Sequence, residues 1–429
     1  MHITGWTVAL AALGAVPAAL TQSRVVAWLW VIGVVVLALV DTWLAPPTHT
    51  IGVRREAPGS VRLTQATTTR LVVANLGRRR VRGAVRDAWQ PSAGASDDRH
   101  AFSLAPGEAE TFRTPLTPTR RGDRQAGPVT VRTFGPLRLA GRQRSVEAPA
   151  HLRVLPEFAS RRHLPSRLVR LREIDGRTAV RLKGAGAEFD SLRDYVIGDD
   201  VRTIDWRGTA RRGEVVVRTY RPERDRRVVI ALDSARLSAA RVGDAPRLDA
   251  SIEAALLLAA LAAHAGDRVQ ATAFDRAEQA RAASTGSRIV ASLADALAAV
   301  EPSLLEPDWP ALVRLVESRV SQRSLVVLLT TVDTSAMDSG LIEAVAALQR
   351  RHQVLVGSVD DPELGAMLAA RDDADAAYGA GAAARAMLER DAVATRLRQL
   401  GAEVVLALPD DLAPAVCDRY LALKAAGRL

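Results

Sequence analysis

Cysteine is almost missing from the chain: Cys417 is the only one in 429 residues. That excludes an internal disulfide framework and any multi-cysteine zinc or iron–sulfur site. Lysine is nearly as scarce. Only Lys183 and Lys424 occur, so 58 less 2, or 56, of the basic residues are arginines, scattered along the whole soluble part. Together with abundant Ala, Val and Gly, this bias reads as a GC-rich coding background. The net charge of +10 is then compositional, and no nucleic-acid partner is expected. The seven histidines (His2, His49, His100, His151, His163, His264 and His352) form no local cluster. No metalloprotease motif, dinucleotide fingerprint or nucleophile–base pair is present, and Gly184-Ala185-Gly186 has no Gly-Lys-Ser/Thr after it to make a phosphate loop. What is there, 48% hydrophobic and 25% charged residues, describes a packed globular protein of two or three domains.

Charge is absent from residues 4–20, and again from residues 25–40. A bilayer crossing takes about 20 mostly apolar residues, with a lower limit near 17. The second run qualifies if Asp41 sits at the interface beside Trp43; the first is shorter and contains Pro17. A cleaved signal peptide is disfavoured, because no Lys or Arg precedes the first run and a second follows within four residues. Residues 1–45 are therefore read as a transmembrane helical hairpin. Arg24 stands alone in the turn, whereas Arg54, Arg55 and Arg62 follow the second helix. The positive-inside tendency then gives a two-pass membrane protein with its large C-terminal part in the cytoplasm.

Residues 46–157 alternate short β-patterned runs with turn residues, the pattern of an immunoglobulin-like sandwich of roughly seven strands. Pro115 suits an edge strand, and Pro91–Asp98 reads as a mobile loop. No catalytic constellation falls here. From residue 227 to 429, continuous apolar strands alternate with helices, which implies an α/β fold with a doubly wound, mostly parallel sheet covered on both faces. Functional groups in such sheets gather at the carboxyl ends of the strands, and Asp233 ends the first one.

Between sandwich and sheet, within residues 158–226, lies the most distinctive stretch. It runs Gly184-x-Gly186-x-Glu188-Phe189, Leu192-Arg193-x-Tyr195, Gly198-Asp199-Asp200-x-Arg202-x-Ile204-Asp205-Trp206 and Thr209-Ala210-Arg211. Read physically, Asp199 caps a helix that puts Arg202 and Trp206 on one face. Glu188, Asp200 and Asp205 are placed to pair with Arg193, Arg202 and Arg211. The segment is then either an ion-paired brace or a partner-docking surface.

These residues resemble the bacterial family catalogued as domain of unknown function 58. The resemblance implies that a von Willebrand factor A-like domain follows, and that the partner is a MoxR-type AAA+ ATPase. That A-type fold often holds Mg²⁺ through Asp-x-Ser-x-Ser after its first strand, completed by a distal threonine and aspartate, all hard oxygen ligands. Here the loop is Asp233-Ser234-Ala235-Arg236-Leu237, so both later hydroxyl positions are apolar and Arg236 adds a positive charge. Thr331 stands where the later aspartate is usual, and Asp333 lies two residues on. The metal site is read as degenerate, with no cofactor expected. The functional expectation is a non-enzymatic, membrane-anchored adaptor or scaffold working with that ATPase in protein assembly or envelope processes. The alternative is an envelope-associated hydrolase with an unrecognised carboxylate site.

Overall fold

The computed structural model describes residues 2–56, 58–181, 188–197, 199–221, 226–284, 286–370 and 372–429. Two compact units result, Met1–Glu157 and Phe158–Leu429.

In the first unit a short strand β1 (His2–Ile3) leads into helices α1 (Gly5–Leu13), α2 (Ala15–Thr21) and α3 (Arg24–Leu44). Helix α3 is long and apolar enough to cross a membrane, with a mean hydropathy of 2.4. The first apolar run breaks at Gly14, three residues before Pro17. Proline has no N–H to give the carbonyl of Leu13 and its ring crowds that carbonyl, so the break falls there. Trp30 of α3 packs over Gly14, where a Cβ would lie 2.2 Å from the indole, and its Nε1–H donates to the carbonyl of Leu10 at 2.9 Å.

The strands that follow are β2 (Ile51–Glu56), β3 (Ser60–Arg62), β4 (Thr67–Asn75), β5 (Val81–Arg86), β6 (Arg99–Leu104), β7 (Ala109–Leu116), β8 (Gly122–Gln125), β9 (Val129–Phe134), β10 (Ala140–Val146) and β11 (His151–Leu155). A five-stranded sheet, β1-β10-β9-β5-β6, shares one apolar core with the three-stranded sheet β2-β4-β7. Leu71 and Val73 meet Val81, Val85, Phe102 and Val131 there, because alternate residues of each strand point inward. A third sheet, β3-β11-β8, adds strands beyond the seven expected. Pro115 lies in β7, at a sheet edge. The stretch Pro91–Asp98 is not a loose loop. Ala93 is buried, Ser96 N–H donates to Pro115 at 3.1 Å, and Thr117 N–H donates to Gly94 at 3.1 Å.

Both ends of the helical segment meet the same turn of this sandwich. Thr4 N–H donates to the carbonyl of Leu139 at 3.0 Å, next to α1. Near the end of α3, the Asp41 carboxylate accepts from the backbone N–H groups of Leu137, Leu139 and Ala140 at 2.8, 2.8 and 3.0 Å. Asp41, expected at the membrane interface, is fully buried as the acceptor for that turn.

The second unit contains α4 (Leu164–Arg181), β12 (Glu188–Asp194), α5 (Trp206–Arg212), β13 (Val216–Arg221), β14 (Arg227–Asp233), β15 (Arg241–Val242), β16 (Ala245–Pro246), α6 (Arg247–His264), β17 (Arg268–Phe274), β18 (Glu278–Ser284), α7 (Arg288–Ala298), α8 (Trp309–Arg319), β19 (Leu325–Leu329), α9 (Thr334–Asp338), α10 (Leu341–Gln349), β20 (Gln353–Val359), α11 (Pro362–Ala369), α12 (Ala374–Gln399), β21 (Glu403–Ala407) and α13 (Pro409–Ala425). Its main sheet has the order β18-β17-β14-β19-β20-β21, parallel throughout except for the antiparallel β18. Strand β14 is apolar on both faces. Val228, Ile230 and Leu232 pack with α6, α7 and α13, while Val229 and Ala231 pack with α8, α10 and α12. Helix α4 joins the first of these cores through Leu164, Leu168 and Leu171, so part of the stretch 158–226 belongs to the α/β core.

Candidate functional site

Strand β14 delivers Asp233 to the carboxyl end of the sheet, where the backbone turns away and β17 and β19 end beside it. The carboxylate is 5% exposed. Its Oδ1 accepts from the N–H of Ala235 at 2.8 Å, and its Oδ2 accepts from the Thr330 hydroxyl at 2.6 Å. The loop above is clamped from the far side. Ser303 N–H donates to the carbonyl of Ser234 at 2.7 Å, and Arg236 N–H donates to that of Leu305 at 2.9 Å.

The other positions of the loop face inward or are occupied. Ala235 is fully buried and Leu237 packs on the core formed with α8 and α10. Thr331 is buried, and Asp333 accepts from the N–H of Ala336 at 2.8 Å, which commits it to capping α9. Arg236 is not free to meet a ligand alone: its Nε donates to Glu306 at 2.7 Å in a half-exposed pair. Among the described residues no group of three or more His, Cys, Asp or Glu is arranged to hold a metal ion. The donor set left at Asp233, one carboxylate with both oxygens engaged and one threonine, does not fit an octahedral Mg²⁺.

Burial pushes the Asp233 carboxyl above the usual carboxylate range, against the opposing pull of its bonds from Thr330 and Ala235. A raised folded-state value means that the native protein holds this proton over a window where the unfolded chain has lost it. Stability therefore falls as pH rises through that window. Asp233→Asn keeps an acceptor for Ala235 and removes the buried charge. Urea denaturation of both proteins is expected to show the variant gaining on wild type as pH rises above the ordinary carboxylate range, about pH 4. A variant that loses ground over that rise would contradict the burial argument.

The segment before the sheet closes on itself. Strands β12 and β13 form an antiparallel hairpin, with the backbone of Glu188 opposite Arg221, but the Glu188 side chain and residues 184–187 and 198 lie outside the described residues. The expected pairings are rearranged. Arg193 grips Asp199 through two hydrogen bonds of 2.7 and 2.6 Å, and Asp199 also accepts from Val196 N–H at 2.9 Å. Asp199 therefore caps no helix. That role falls to Asp200, which accepts from Arg202 N–H at the turn Val201–Thr203, and to Asp205, which accepts from Gly208 N–H at the start of α5. Arg202 and Trp206 sit on two separate turns and share no helix face. Asp205 pairs with Arg218 across the hairpin at 2.8 Å, leaving Arg202 and Arg211 exposed. The Gly208 bond and then Arg218 hold the Asp205 carboxyl below the usual range. Helix α5 sits close on the hairpin because Gly208 has no Cβ. One would lie 2.9 Å from Val216 and 3.1 Å from Leu192.

Tyr195 is half-buried and its N–H donates to Val215 at 2.8 Å. The apolar residues around it turn outward. Ile197 is 97% exposed, Trp206 69%, Val201 63% and Val196 62%. A brace would have covered the Trp206 ring, and its exposure is the opposite. The signal that was available is its neighbourhood, Trp206-Arg207-Gly208 with Arg211 and Arg212, too polar for a buried helix face.

This is a mixed α/β unit with a sealed carboxylate at the end of a central strand and a self-capped hairpin ahead of it. Residues 191–369, from within β12 to the end of α11, match the family model described as "Protein of unknown function DUF58", which supports that family for this chain. A comparison with curated proteins finds no match. Similar solved structures include a Salmonella alpha-2-macroglobulin (16% identity, TM-score 0.20, covering 24% of this chain and 7% of that one). The CARDB domain of a Pyrococcus furiosus protein is also similar (19% identity, TM-score 0.20, 24% of this chain and 94% of that one). These likenesses are too slight to bear on fold or function.

Proposed function

We propose that this protein is a non-enzymatic adaptor, anchored in the bacterial cell membrane by two passes and holding a von Willebrand A-like, doubly wound domain in the cytoplasm. Its partner is a MoxR-type AAA+ ATPase, the kind of partner implied by the family resemblance. The observation that carries the reading is the outward set of Ile197, Trp206, Val201 and Val196 on a hairpin whose polar groups are already capped and paired. Four large apolar side chains left exposed within residues 196–206 are read as a docking site. Leu304, 79% exposed beside the Arg236–Glu306 pair, extends a second such surface at the carboxyl end of the sheet.

The two-pass anchor is supported by the way α1 and α3 both end on the Leu137–Ala140 turn, which puts the two ends on one side of a bilayer. Charge supports the orientation. Residues 1–157 contain 20 basic against 10 acidic residues, while residues 158–429 contain 38 of each. The whole excess of +10 lies in the anchored unit, as suits the anionic cytoplasmic leaflet.

The test is association of the full-length protein with its genome-neighbour ATPase in the presence of ATP. Ile197→Asp with Trp206→Ala is expected to weaken the complex at least about tenfold, on the order of 1.4 kcal/mol or more. Arg236→Glu should weaken it less and mainly at low salt. No association of the wild-type proteins would defeat the adaptor reading. Turnover of an envelope substrate by the purified protein, abolished by a carboxylate substitution, would favour the hydrolase instead.

A further inference from the structure

Beside the helices, the first unit has an open cleft of about 1070 Å³ against the sandwich, bordered by Trp6, Arg82, Ser103, Glu110, Phe134 and Arg138. A second cleft of about 570 Å³ runs along α1, lined by Leu10, Leu13, Leu137 and Leu139, and the two meet at Trp6 and Arg138. Their chemistry is ordered. Along α1 the walls are apolar, with Leu13 56% and Leu137 53% exposed. Arg138 stands at the junction. In the larger cleft a second guanidinium, Arg82, is accompanied by carboxylates, Glu108 and Glu110. Glu108 already accepts from Ala105 N–H at 2.6 Å, but Arg82, Arg138 and Glu110 make no ion pair among the described residues. Trp6, 72% exposed, has the amphipathic ring found at bilayer surfaces.

Hydrocarbon wall, then guanidinium, then carboxylate is the order in which a membrane lipid presents acyl chain, phosphate and amine. We propose that these joined clefts hold one glycerophospholipid with an amine-bearing headgroup. Its phosphate is met by Arg138 and Arg82, its amine by Glu110, and an acyl chain lies along Leu10 and Leu13. The site rests on the membrane-anchor reading above. The larger cleft reaches the upper end of ordinary small-molecule sites, about 300–1,000 Å³, so a headgroup with its glycerol fits. Guanidinium–phosphate bonds are charge-assisted, and beside a bilayer they are made in a low-dielectric setting that strengthens them.

The test uses the full chain in nanodiscs of equal parts phosphatidylethanolamine and phosphatidylglycerol, with retained lipid identified by native mass spectrometry. Arg138 has φ 57°, a left-handed conformation that Asn adopts readily, so Arg138→Asn removes the charge without disturbing the turn. Wild type is expected to retain phosphatidylethanolamine, and Arg138→Asn or Arg82→Gln to lose it at least about fivefold. Glu110→Gln is expected to shift retention toward phosphatidylglycerol. Arg120→Gln, in the turn after the far end of β7, should change nothing. Equal retention by Arg138→Asn and Arg120→Gln, or phosphatidylglycerol preferred by wild type, would overturn the site. Carbonate washing of native membranes separates the two readings. Release of the wild-type chain overturns the anchor itself, whereas a chain that stays while Arg138→Asn keeps its lipid overturns only the lipid site.

Discussion

Arg55→Met is expected to destabilise the N-terminal unit by about 3–5 kcal/mol, the cost of stranding one partner of a buried ion pair. The side chains of Arg55 and Asp87 are both 0% exposed. Arg55 Nε donates to Asp87 Oδ1 at 2.8 Å, and the same guanidinium donates to the carbonyls of Ala148 and Gly127 and lies 5.5 Å from the Trp89 ring centroid. One planar fork thus ties β2 to the segments after β5, before β9 and before β11. With Met in its place, the Asp87 carboxylate and two carbonyls stay buried with their donor gone. At about 2–4 °C per kcal/mol for a unit of this size, the melting temperature should fall by about 10 °C. Arg55→Met with Asp87→Leu should recover much of the loss, since no charge is then left uncompensated. Arg54→Met next door is the control. Its pair with Glu56 is exposed, 77% and 44%, and is worth about 1 kcal/mol or less. A loss below about 1 kcal/mol for Arg55→Met would mean that water reaches the Asp87 site.

The same residue illustrates what a sequence conceals. Arg54, Arg55 and Arg62 read alike as positive charge after an apolar helix, yet Arg55 is drawn into the sandwich and neutralised by a residue 32 positions away. The basic surplus looked like uniform composition because arginine is spread evenly. It is the acidic residues that are unevenly distributed, leaving the whole excess in residues 1–157. Patterns with a strong local signal were legible. Strands β14, β19 and β20 are continuous apolar runs, and helices α6, α8, α10 and α13 fall within a few residues of where their spacing put them. Strand β18, Glu-Gln-Ala-Arg-Ala-Ala-Ser, went unread because none of its residues favours strands; it exists by pairing with β17. Helix α4 went unread because five arginines interrupt its apolar residues, although Leu164, Leu168 and Leu171 already mark one face. In the hairpin segment the right residue types were chosen and the wrong partners. Asp205 finds Arg218, 13 positions on, because β13 brings it alongside, a register that no local spacing encodes.

Lys424→Met is the second substitution with a large expected effect, about 3 kcal/mol or more of stability lost in the α/β unit. Lys424 is one of two lysines in the chain and is 4% exposed, an unusual place for a side chain that almost always reaches water. Its Nζ lies 3.2 Å from Asp267 Oδ1, with both side chains 3% exposed. The Tyr420 hydroxyl donates to the other Asp267 oxygen, and the ammonium lies 5.7 Å from the Tyr420 ring centroid. Tyr420 and Lys424 are one helical turn apart on α13, so a single face of that helix closes over Asp267 just before β17 begins. This end of the sheet is opposite to Asp233, and its charges are fully used in holding α13 down. Removing the lysine leaves Asp267 buried with one neutral donor. Tyr420→Phe should cost less, about 1–2 kcal/mol, because the ammonium remains. Lys424→Met with Asp267→Leu should be milder than Lys424→Met alone. Since α13 packs chiefly on α6, ATPase binding by a Lys424→Met protein that is still folded should match wild type. A Lys424→Met protein that melts with wild type would show that the pair adds nothing to α13 docking. The long apolar face of α13, through Leu412, Val416 and Leu421, would then suffice on its own.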